Sequence, residues 1–516
     1  MPDGVRSLIV VVVTVGVWEV VARTVFSGSF VLSPPSSVLG SIYDERSLYA
    51  RNLRHTIANA GWGFLWGNLV AIALAAVATL VPAVRRTIGA ISLTTFCLPL
   101  IALAPILRVV LGPGESTPIA LAALSVFFTT FIAALLGLDS APGGALEVVR
   151  SYGRGRYAAF VFVRLRASVP ALFAGLQIAA PAAFLGALVG EFTGSSRGFG
   201  ILTIQALRTL ETDRVWAVAV LSTLVSSGAY LLVGFLGRKL CPWAAAVDVT
   251  AAPTDPPVRG AARRLAALAA PVAAVLVLWV AFLVVFDVNT FFAKTPVDVW
   301  SDVVTGPDAA EMRSTVLPPL WSTIWTTSLG FVAGITAAVA LAAVFILAPW
   351  LERALMPVAV ALRAIPIVAT TPVIILALGR GVVATVAIVG VMSFFPTLVN
   401  CVAAMRRTPE GILDVLRSYD APSVATVWIA HLPTAVPALL ASARIAVPTS
   451  LLGATVAEWL ATGKGMGNLM TVAANTARYD VLWVSVVLLT LVAAGGYLAV
   501  ASFERQVLAR MQPGRS

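Results

Sequence analysis

Charged residues are scarce in this sequence: they make up 11% of its 516 residues, whereas hydrophobic residues make up 59%. The mean hydropathy of +0.94 excludes an ordinary water-soluble protein. Apolar runs of about 20 residues, long enough to cross a bilayer as a helix, recur along the whole chain. Stretches such as WGNLVAIALAAVATLV lack the alternation of polar and apolar residues that a membrane β-barrel requires. We therefore expect an all-α polytopic membrane protein.

Cysteine and histidine are also rare, with three cysteines and two histidines in the chain. The spacing of Cys97, Cys241 and Cys401 is neither that of a metal site nor that of a disulfide framework. His55 and His431 have no acidic or cysteine partner nearby in the sequence. A bound metal is therefore not expected.

Motifs for catalysis are missing as well. The sequence has no G-x-x-x-x-G-K-[S/T] stretch, which binds the phosphates of ATP, and no serine triad, Cys–His pair or cluster of carboxylates. We expect no catalytic residue and no cofactor in this chain. The net charge of +11 comes from Lys and Arg spread over many short loops. That distribution is typical of the cytoplasmic loops of membrane proteins and does not indicate nucleic-acid binding.

The second half of the chain repeats the first half. Residues match at a constant offset of 267 over most of the length, and at 261 near the start of each half. The matched pairs include Arg150 and Arg417, Tyr152 and Tyr419, Pro170 and Pro437, Glu191 and Glu458, Gly198 and Gly465, and Trp18 and Trp279.

A polar, Pro-rich stretch at 248–260, DVTAAPTDPPVRG, separates the two halves. We expect a first repeat at 1–247, a linker at 248–260 and a second repeat at 261–516. Each repeat holds six apolar segments, about 12 transmembrane helices in all, so the two repeats share one orientation. The predicted spans are 7–26, 57–81, 87–111, 117–138, 169–192 and 214–237, then 265–286, 320–348, 354–378, 382–404, 436–460 and 481–502.

Prolines recur at matched places in the third span of each repeat. They are expected to break these helices, which membrane proteins tolerate where neighbouring groups satisfy the freed carbonyls. Such breaks either line cavities or are ordinary kinks. The prolines are Pro99, Pro105, Pro366 and Pro372.

The distribution of Lys and Arg predicts the orientation of the chain. If the amino terminus is cytoplasmic, the loops on that side hold most of the basic residues, and both termini are cytoplasmic. The loops between the fourth and fifth spans then face the cytoplasm. They contain two similar polar stretches, LEVVRSYG at 146–153 and LDVLRSYD at 413–420.

Each of these polar stretches is expected to form a short helix. Glu147 and Asp414 are predicted in the first turn, where the helix dipole stabilises a carboxylate. Arg150 and Arg417 follow three residues later, within reach of an ion pair. An exposed loop with a local ion pair, inherited when the chain was duplicated, would explain the match without a binding function.

The first polar stretch and the residues after it resemble the EAA loop of binding-protein-dependent ABC importer permeases. That pattern has a Glu, small residues, a Gly six positions later, and then an apolar-x-Leu-Pro element. The first copy has Glu147, Gly153, Val163 and Leu165, but Arg166 takes the place of the Pro. The loop in such permeases is a coupling helix that docks on a separate ATPase.

The second copy has Leu432 and Pro433, but Asp414 and Asp420 replace the Glu and the Gly. The stretch WEVVARTVFSGSFVLSPPSSVL resembles the start of permeases of the nitrate/sulfonate/taurine branch. GEFTGSSRGFG and AEWLATGKGMG resemble the Glu and Gly-x-Gly elements of the same branch. The resemblance therefore extends over both halves.

The resemblance implies a type I ABC importer permease fold, with two permease units fused in one bacterial cytoplasmic membrane protein. Two ABC ATPase subunits, which would bind ATP and Mg, are expected at coupling loops 146–166 and 413–433. An extracytoplasmic substrate-binding protein would deliver nitrate, a sulfonate, taurine or a thiamine-precursor pyrimidine. The implied coupling residues are Glu147, Arg150, Ser151, Tyr152, Gly153, Arg154, Asp414, Arg417, Ser418, Tyr419 and Asp420.

Polar residues in or beside the spans are candidates for a solute pathway or a gate, because charge inside a membrane is costly. Arg444, whose counterpart in the first repeat is Gln177, is the best candidate for contacting an anionic solute. The alternative for each residue is that its polar end reaches water at a span end. The candidates are Glu191, Glu458, Arg108, Arg363, Gln177 and Arg444.

The alternative function is that of a twelve-span secondary transporter not coupled to ATP, since the halves of such proteins are also parallel repeats. The first inner loop, PAVRRTIG, lacks the G-x-x-x-D-R signature of the major facilitator superfamily. A membrane-embedded enzyme is disfavoured because the catalytic motifs are missing.

Overall fold

The computed structural model describes residues 3–27, 31–193, 195–241, 261–363 and 367–511. Throughout these ranges the chain forms helices joined by short turns, and no strand occurs in them. The predicted linker at 248–260 lies outside the described residues. The prediction of an all-α protein is confirmed.

The helices follow the duplication of the sequence. The first repeat contains α1 (Asp3–Thr24), α2 (Pro35–Asp44), α3 (Arg46–Leu80), α4 (Pro82–Cys97), α5 (Leu100–Leu111), α6 (Ser116–Asp139), α7 (Gly143–Ser151), α8 (Arg156–Ala159), α9 (Leu165–Phe192), α10 (Phe199–Thr209) and α11 (Thr212–Leu240). The second repeat contains α12 (Ala261–Val285), α13 (Pro296–Trp300), α14 (Ala309–Leu347), α15 (Pro349–Arg363), α16 (Ile367–Leu378), α17 (Val382–Met405), α18 (Glu410–Ser418), α19 (Ser423–Thr426), α20 (Leu432–Ala457), α21 (Gly465–Asn475) and α22 (Tyr479–Met511). One-turn π-helical segments at Phe160–Arg164 and Val427–His431 lead into α9 and α20.

Eight helical stretches in the described residues are long and apolar enough to cross a membrane. They are built on α3, α6, α9 and α11 and on their counterparts α14, α17, α20 and α22. These eight confirm the second, fourth, fifth and sixth predicted spans of each repeat. The first predicted spans fall on α1 and α12, where a shorter apolar helix covers Ala269–Val285. A total of twelve spans stays a prediction.

The third predicted span of the first repeat is not one continuous helix. Helices α4 and α5 meet at an angle of 99°, as in a broken span or a re-entrant loop. The break lies at Leu98 and Pro99, whose backbones are extended, with ψ of 130° and 96°. Pro105 was also expected to break the helix, but it lies inside α5. In the second repeat, Pro372 lies inside α16, and residues 364–366 fall outside the described chain.

Glycines bring the second and fourth spans of each repeat into close contact. Gly63 and Gly67 of α3 face the backbone of α6, and their counterparts Gly330 and Gly334 face α17. A Cβ at Gly67 would lie 2.5 Å from the carbonyl oxygen of Ala123. Small residues four apart allow the helix backbones to approach, which strengthens packing where lipid supplies no hydrophobic driving force.

The first and last helices of each repeat are joined by a pair of tryptophans. The ring centres of Trp18 and Trp216 lie 4.9 Å apart, and those of Trp279 and Trp483 lie 5.2 Å apart. In each pair the tryptophan of the last helix donates its indole N–H to a backbone carbonyl, at 3.2 and 2.8 Å. The two repeats therefore share detailed contacts as well as helix order.

The two repeats contact each other through their third spans. A buried apolar cluster joins Ile101 and Ala104 of α5 to Ile388 of α17 and Val456 of α20. Helix α4, which ends at the buried Cys97, packs against α12 and α22 of the second repeat. Helix α16 likewise packs against α9 and α11 of the first repeat. The bent third span is thus the main link between the repeats.

A leucine at Gly67 should destabilise the first repeat, because its side chain would press on the backbone of α6. We expect Gly67→Leu to lower the free energy of unfolding by about 1–3 kcal/mol. The measurement is the midpoint of thermal unfolding in detergent. Gly61→Leu is the matched control, because a Cβ there meets open space. Equal midpoints for both variants would contradict the close contact.

Candidate functional site

The two predicted coupling helices are α7 and α18, and both begin earlier than the sequence suggested. Each follows a proline, Pro142 or Pro409, with an extended backbone (ψ 131° and 130°). Glu147 and Asp414 are therefore the fifth residues of their helices, so the prediction that they lie in the first turn is wrong. A proline in this conformation ends the preceding segment and fixes the start of the helix at the next residue.

The carboxyl ends of both helices have the same geometry despite different residues. Gly153 and Asp420 adopt left-handed backbones, with φ of 69° and 52°. The N–H of each donates to the carbonyl three residues earlier, and the next N–H donates to the carbonyl five residues before it. This is a Schellman motif, which favours glycine at the left-handed position and tolerates aspartate less well. Asp420 therefore takes the position that Gly153 has in the first loop without changing the turn.

The predicted ion pair forms in the second loop only. The guanidinium of Arg417 lies 3.0 Å from the carboxylate of Asp414 and 3.7 Å from that of Glu410. No such pair joins Glu147 to Arg150, although both side chains belong to the described residues and are exposed. Arg154 instead lies over the ring of Phe162, 5.6 Å from its centre.

All the predicted coupling residues are exposed to solvent. Large apolar side chains accompany them at matched positions: Val148 and Val415 are about half exposed, and Tyr152 and Tyr419 are 79% and 81% exposed. The serines Ser151 and Ser418 hydrogen-bond back to carbonyls of their own helices, at 2.8 and 2.7 Å. Each loop thus presents a fixed helix with an uncovered apolar face.

The carboxylate of Glu191 is buried and holds the start of α10 against α3. It accepts hydrogen bonds from the hydroxyl of Thr56 and from the N–H of Gly200, both at 2.9 Å. The Thr56 oxygen in turn accepts the N–H of Phe199 at 2.9 Å. Gly198 has a positive φ of 118°, and a Cβ there would overlap the carboxylate.

The second repeat builds the same contact around Glu458. The hydroxyl of Thr323 lies 2.9 and 2.8 Å from its two carboxylate oxygens. The N–H of Gly467 donates to the carboxylate at 3.0 Å, and that of Met466 donates to the Thr323 oxygen at 2.9 Å. A pathway or gate role for Glu191 and Glu458 stays a prediction; in the structure, both carboxylates bind helix ends of their own repeat.

The first repeat adds further polar groups to this contact. The side chain of Asn59 lies 3.5 Å from Glu191 and donates to Glu115 at 2.6 Å. His55 lies 3.3 Å from Glu115, and Asn52 accepts the N–H of Gly198 at 2.8 Å. The positions equivalent to Asn52, His55, Asn59 and Glu115 are Pro319, Ser322, Thr326 and Val382.

Arg444 has an acidic partner that the sequence reading missed. Its guanidinium lies 2.8 Å from the carboxylate of Glu504, both side chains are buried, and the ring of Tyr497 lies 5.7 Å away. The pair joins α20 to α22 and carries no net charge. At the equivalent place in the first repeat, Gln177 packs against Gly234 of α11.

Two pathway candidates remain, Arg108 and Arg363. Arg108 lies near the end of α5 and is partly exposed. Arg363 ends α15, and its side chain lies outside the described part of the chain. Their pathway roles stay predictions.

The partners of the two glutamates were also missed, although the sequence holds a signal for them. Thr56 and Thr323 match at the same offset of 267. A threonine inside a span is not conspicuous by composition, yet a repeated one facing a repeated glutamate is a candidate partner. Glu504 carries no such signal, because its counterpart in the first repeat is Gly237.

Comparison with known families identifies the chain. The family model described as "Binding-protein-dependent transport system inner membrane component" matches residues 67–241 and again residues 330–513. The chain belongs to this family. Each match begins within the second span of a repeat and extends past the end of the sixth, so two permease units are fused in one chain.

Three relatives of this permease are matched over most of their own length. A probable ABC transporter permease of Haemophilus influenzae is 26% identical over 94% of its own length and 45% of this chain. A formylaminopyrimidine transport permease of Halalkalibacterium halodurans is 26% identical over 91% of its length and 44% of this chain. The taurine permease of Escherichia coli is 26% identical over 85% of its length and 44% of this chain. Nearly a whole relative therefore fits within less than half of this protein.

These findings show that the chain is a multi-pass ABC transporter permease, a transport subunit of an importer. The resemblance stated from the EAA-like loops is confirmed. The comparisons give no support to a secondary transporter that is independent of ATP.

Removing the hydroxyl of Thr323 should destabilise the second repeat, because the carboxylate of Glu458 would lose a donor in a buried site. We expect Thr323→Val to cost about 1–3 kcal/mol of unfolding free energy. The matched control Thr323→Ser keeps the hydroxyl and should unfold near the wild-type midpoint. Thr56→Val should cost less, because Asn59 remains close to Glu191. Equal midpoints for the valine and serine variants at position 323 would contradict this account.

Proposed function

We propose that this permease imports a small solute across the bacterial cytoplasmic membrane, with two ABC ATPase subunits docked at loops 146–166 and 413–433. The observation that carries the proposal is the pair of exposed helices α7 and α18. They occupy equivalent places in the two repeats, end in the same turn and present the same uncovered apolar residues. Apolar side chains exposed on ordered helices outside the spans are typical of a protein interface.

The ATPases would supply the energy, since the chain has no phosphate-binding motif of its own. ATP and Mg bind in those partner subunits. Closure of the two ATPases on ATP would push α7 and α18 together and switch the interior from facing inward to facing outward. Both termini are cytoplasmic in this arrangement, on the same side as the coupling loops.

A substrate-binding protein would deliver the solute to the opposite face. Arg156 of the first coupling loop donates to the carbonyl of Leu80, so the end of α3 lies beside that loop. The start of α3 lies about 50 Å away along a helix of 35 residues. There, a groove of about 1000 Å³ between α1, α2 and the start of α11 includes Asp44, Glu211 and Asp213 in its lining. An open groove on this face supports docking of a delivery protein.

The proposed solute is a nitrate-, sulfonate- or taurine-like anion or a thiamine-precursor pyrimidine. The names of three relatives support this range, because they are permeases for taurine, for aliphatic sulfonates and for formylaminopyrimidine. A fourth relative, from Chloroflexus aurantiacus, is named as a riboflavin permease, a solute outside this range. Binding of an anion at Arg444 would require this residue to separate from Glu504.

Thiol cross-linking tests the docking sites directly. The three native cysteines are buried, so a new exposed cysteine can be labelled selectively. With co-expressed ATPase subunits from the same genome, Ser151→Cys and Ser418→Cys should each cross-link to an ATPase. Ser47→Cys, exposed at the far end of α3, is the control and should not. A chain that retains no ATPase in detergent, or that cross-links equally from Ser47→Cys, would contradict the proposal.

The two docking loops differ in charge. Loop 146–166 holds five arginines and one glutamate, a net charge of +4, whereas loop 413–433 holds one arginine and two aspartates, a net charge of −1. Arg154→Glu should therefore weaken ATPase stimulation more than Ser423→Glu, by about tenfold, as for a charge at an interface. The measurement is the ATP hydrolysis rate of the purified complex. Equal stimulation in the two variants would refute a charge-based difference.

A further inference from the structure

The chain between the fourth and fifth spans of the first repeat starts and ends beside one carboxylate. Asp139, the last residue of α6, accepts two hydrogen bonds from the guanidinium of Arg85 on α4, at 3.1 and 2.5 Å. Arg164, at the far end of the loop, lies 3.5 Å from the same carboxylate and donates to the carbonyl of Leu138 at 3.0 Å. Residues 140–163 therefore begin and end beside the carboxylate of Asp139, which is bound to Arg85.

The second repeat has the same contact with the charges exchanged. Arg406, at the position of Asp139, donates two hydrogen bonds to Glu352, at the position of Arg85; the first of these measures 3.1 Å. His431 stands at the position of Arg164, and its Nδ1 lies 2.9 Å from the carbonyl oxygen of Met405 and 2.9 Å from the hydroxyl of Thr408.

The residue types at these three positions differ between the two repeats, yet the paired side chains have opposite charges in both. An arginine at the position of His431 would place a second guanidinium near Arg406, whereas the shorter histidine reaches the carbonyl of Met405 with its Nδ1. The third-span member of each pair has the same exposure, 13% for the Arg85 side chain and 14% for Glu352. The sign of the charge therefore differs between the repeats, while the pairing and the burial of its third-span member are the same.

We propose that these residues form a clasp that fixes the base of each coupling loop to the third span, so that a displacement of the coupling helix moves that span. The clasp of the first repeat is Arg85, Asp139 and Arg164, and that of the second is Glu352, Arg406 and His431. The residues position the loop and do not contact the solute. The mechanical role rests on the proposed function, because an ATPase must move the loop.

Helix α4 connects the first clasp to the contact between the two repeats. Helix α4 carries Arg85 near one end and reaches the break at Pro99 at the other. It packs on α12 and α22 of the second repeat, and α5 beyond the break joins the buried cluster between the repeats. A loop held at Arg85 can therefore pass its movement to the contact between the repeats through one packed helix.

The test exchanges residues between the two clasps, because the second clasp shows which residue types form the contact when the charges are exchanged. Arg85→Glu places two carboxylates against each other and should open the first clasp. The triple variant Arg85→Glu, Asp139→Arg, Arg164→His gives the first repeat the three residue types of the second clasp. It should close the first clasp again. The variant with only the first two changes should recover less, because Arg164 then faces a new arginine.

Hydrogen exchange of the chain alone tests the anchoring without any partner. We expect faster amide exchange across 140–166 in Arg85→Glu and a wild-type rate in the triple variant. Unchanged exchange in Arg85→Glu would overturn the clasp whatever the protein transports. This result is separate from the cross-linking result on which the proposed function depends.

The coupling role is measured in the ATPase-bound complex. Arg85→Glu should keep its bound ATPase yet move about tenfold fewer solute molecules per ATP hydrolysed, and the triple variant should recover. The solute probes are radiolabelled taurine and formylaminopyrimidine, whichever the wild type accumulates. A ratio that stays low in the triple variant despite restored exchange, or that never falls in Arg85→Glu, would overturn the coupling role.

Discussion

A membrane protein must satisfy its buried polar groups internally, because lipid offers no hydrogen bonds. Glu191 and Glu458 meet this constraint in the same way. Each carboxylate takes a hydroxyl from the second span and an N–H from the first turn of the short helix that follows the fifth span. That contact fixes the second span, the fifth span and the short helix as one unit.

Close packing then extends this unit toward the other repeat. Glycines let the second span lie directly on the fourth, and the fourth ends where the coupling loop begins. The third span turns sharply at Pro99 and packs between the repeats. In the proposed mechanism, a movement applied at a coupling loop would reach the centre of the protein through these packed helices.

Much of this arrangement could be predicted from the sequence, because the duplication places each motif at two matched positions. The offset of 267 located both coupling helices and both glutamates. What it could not show were contacts without matched residues: Glu504 faces Arg444 from 60 positions away, and the exchanged charges of Arg85 and Glu352 look like a mismatch in an identity comparison. The break at Pro99 was expected from the sequence, whereas the early starts of α7 and α18 after Pro142 and Pro409 were not.

In the proposed function, this fused chain moves its solute only when partner subunits hydrolyse ATP. The test is solute uptake into proteoliposomes that contain the chain, its ATPases and its binding protein. We expect accumulation with Mg-ATP on the ATPase side and none with a proton or sodium gradient alone. Accumulation driven by an ion gradient in vesicles without ATP would contradict it.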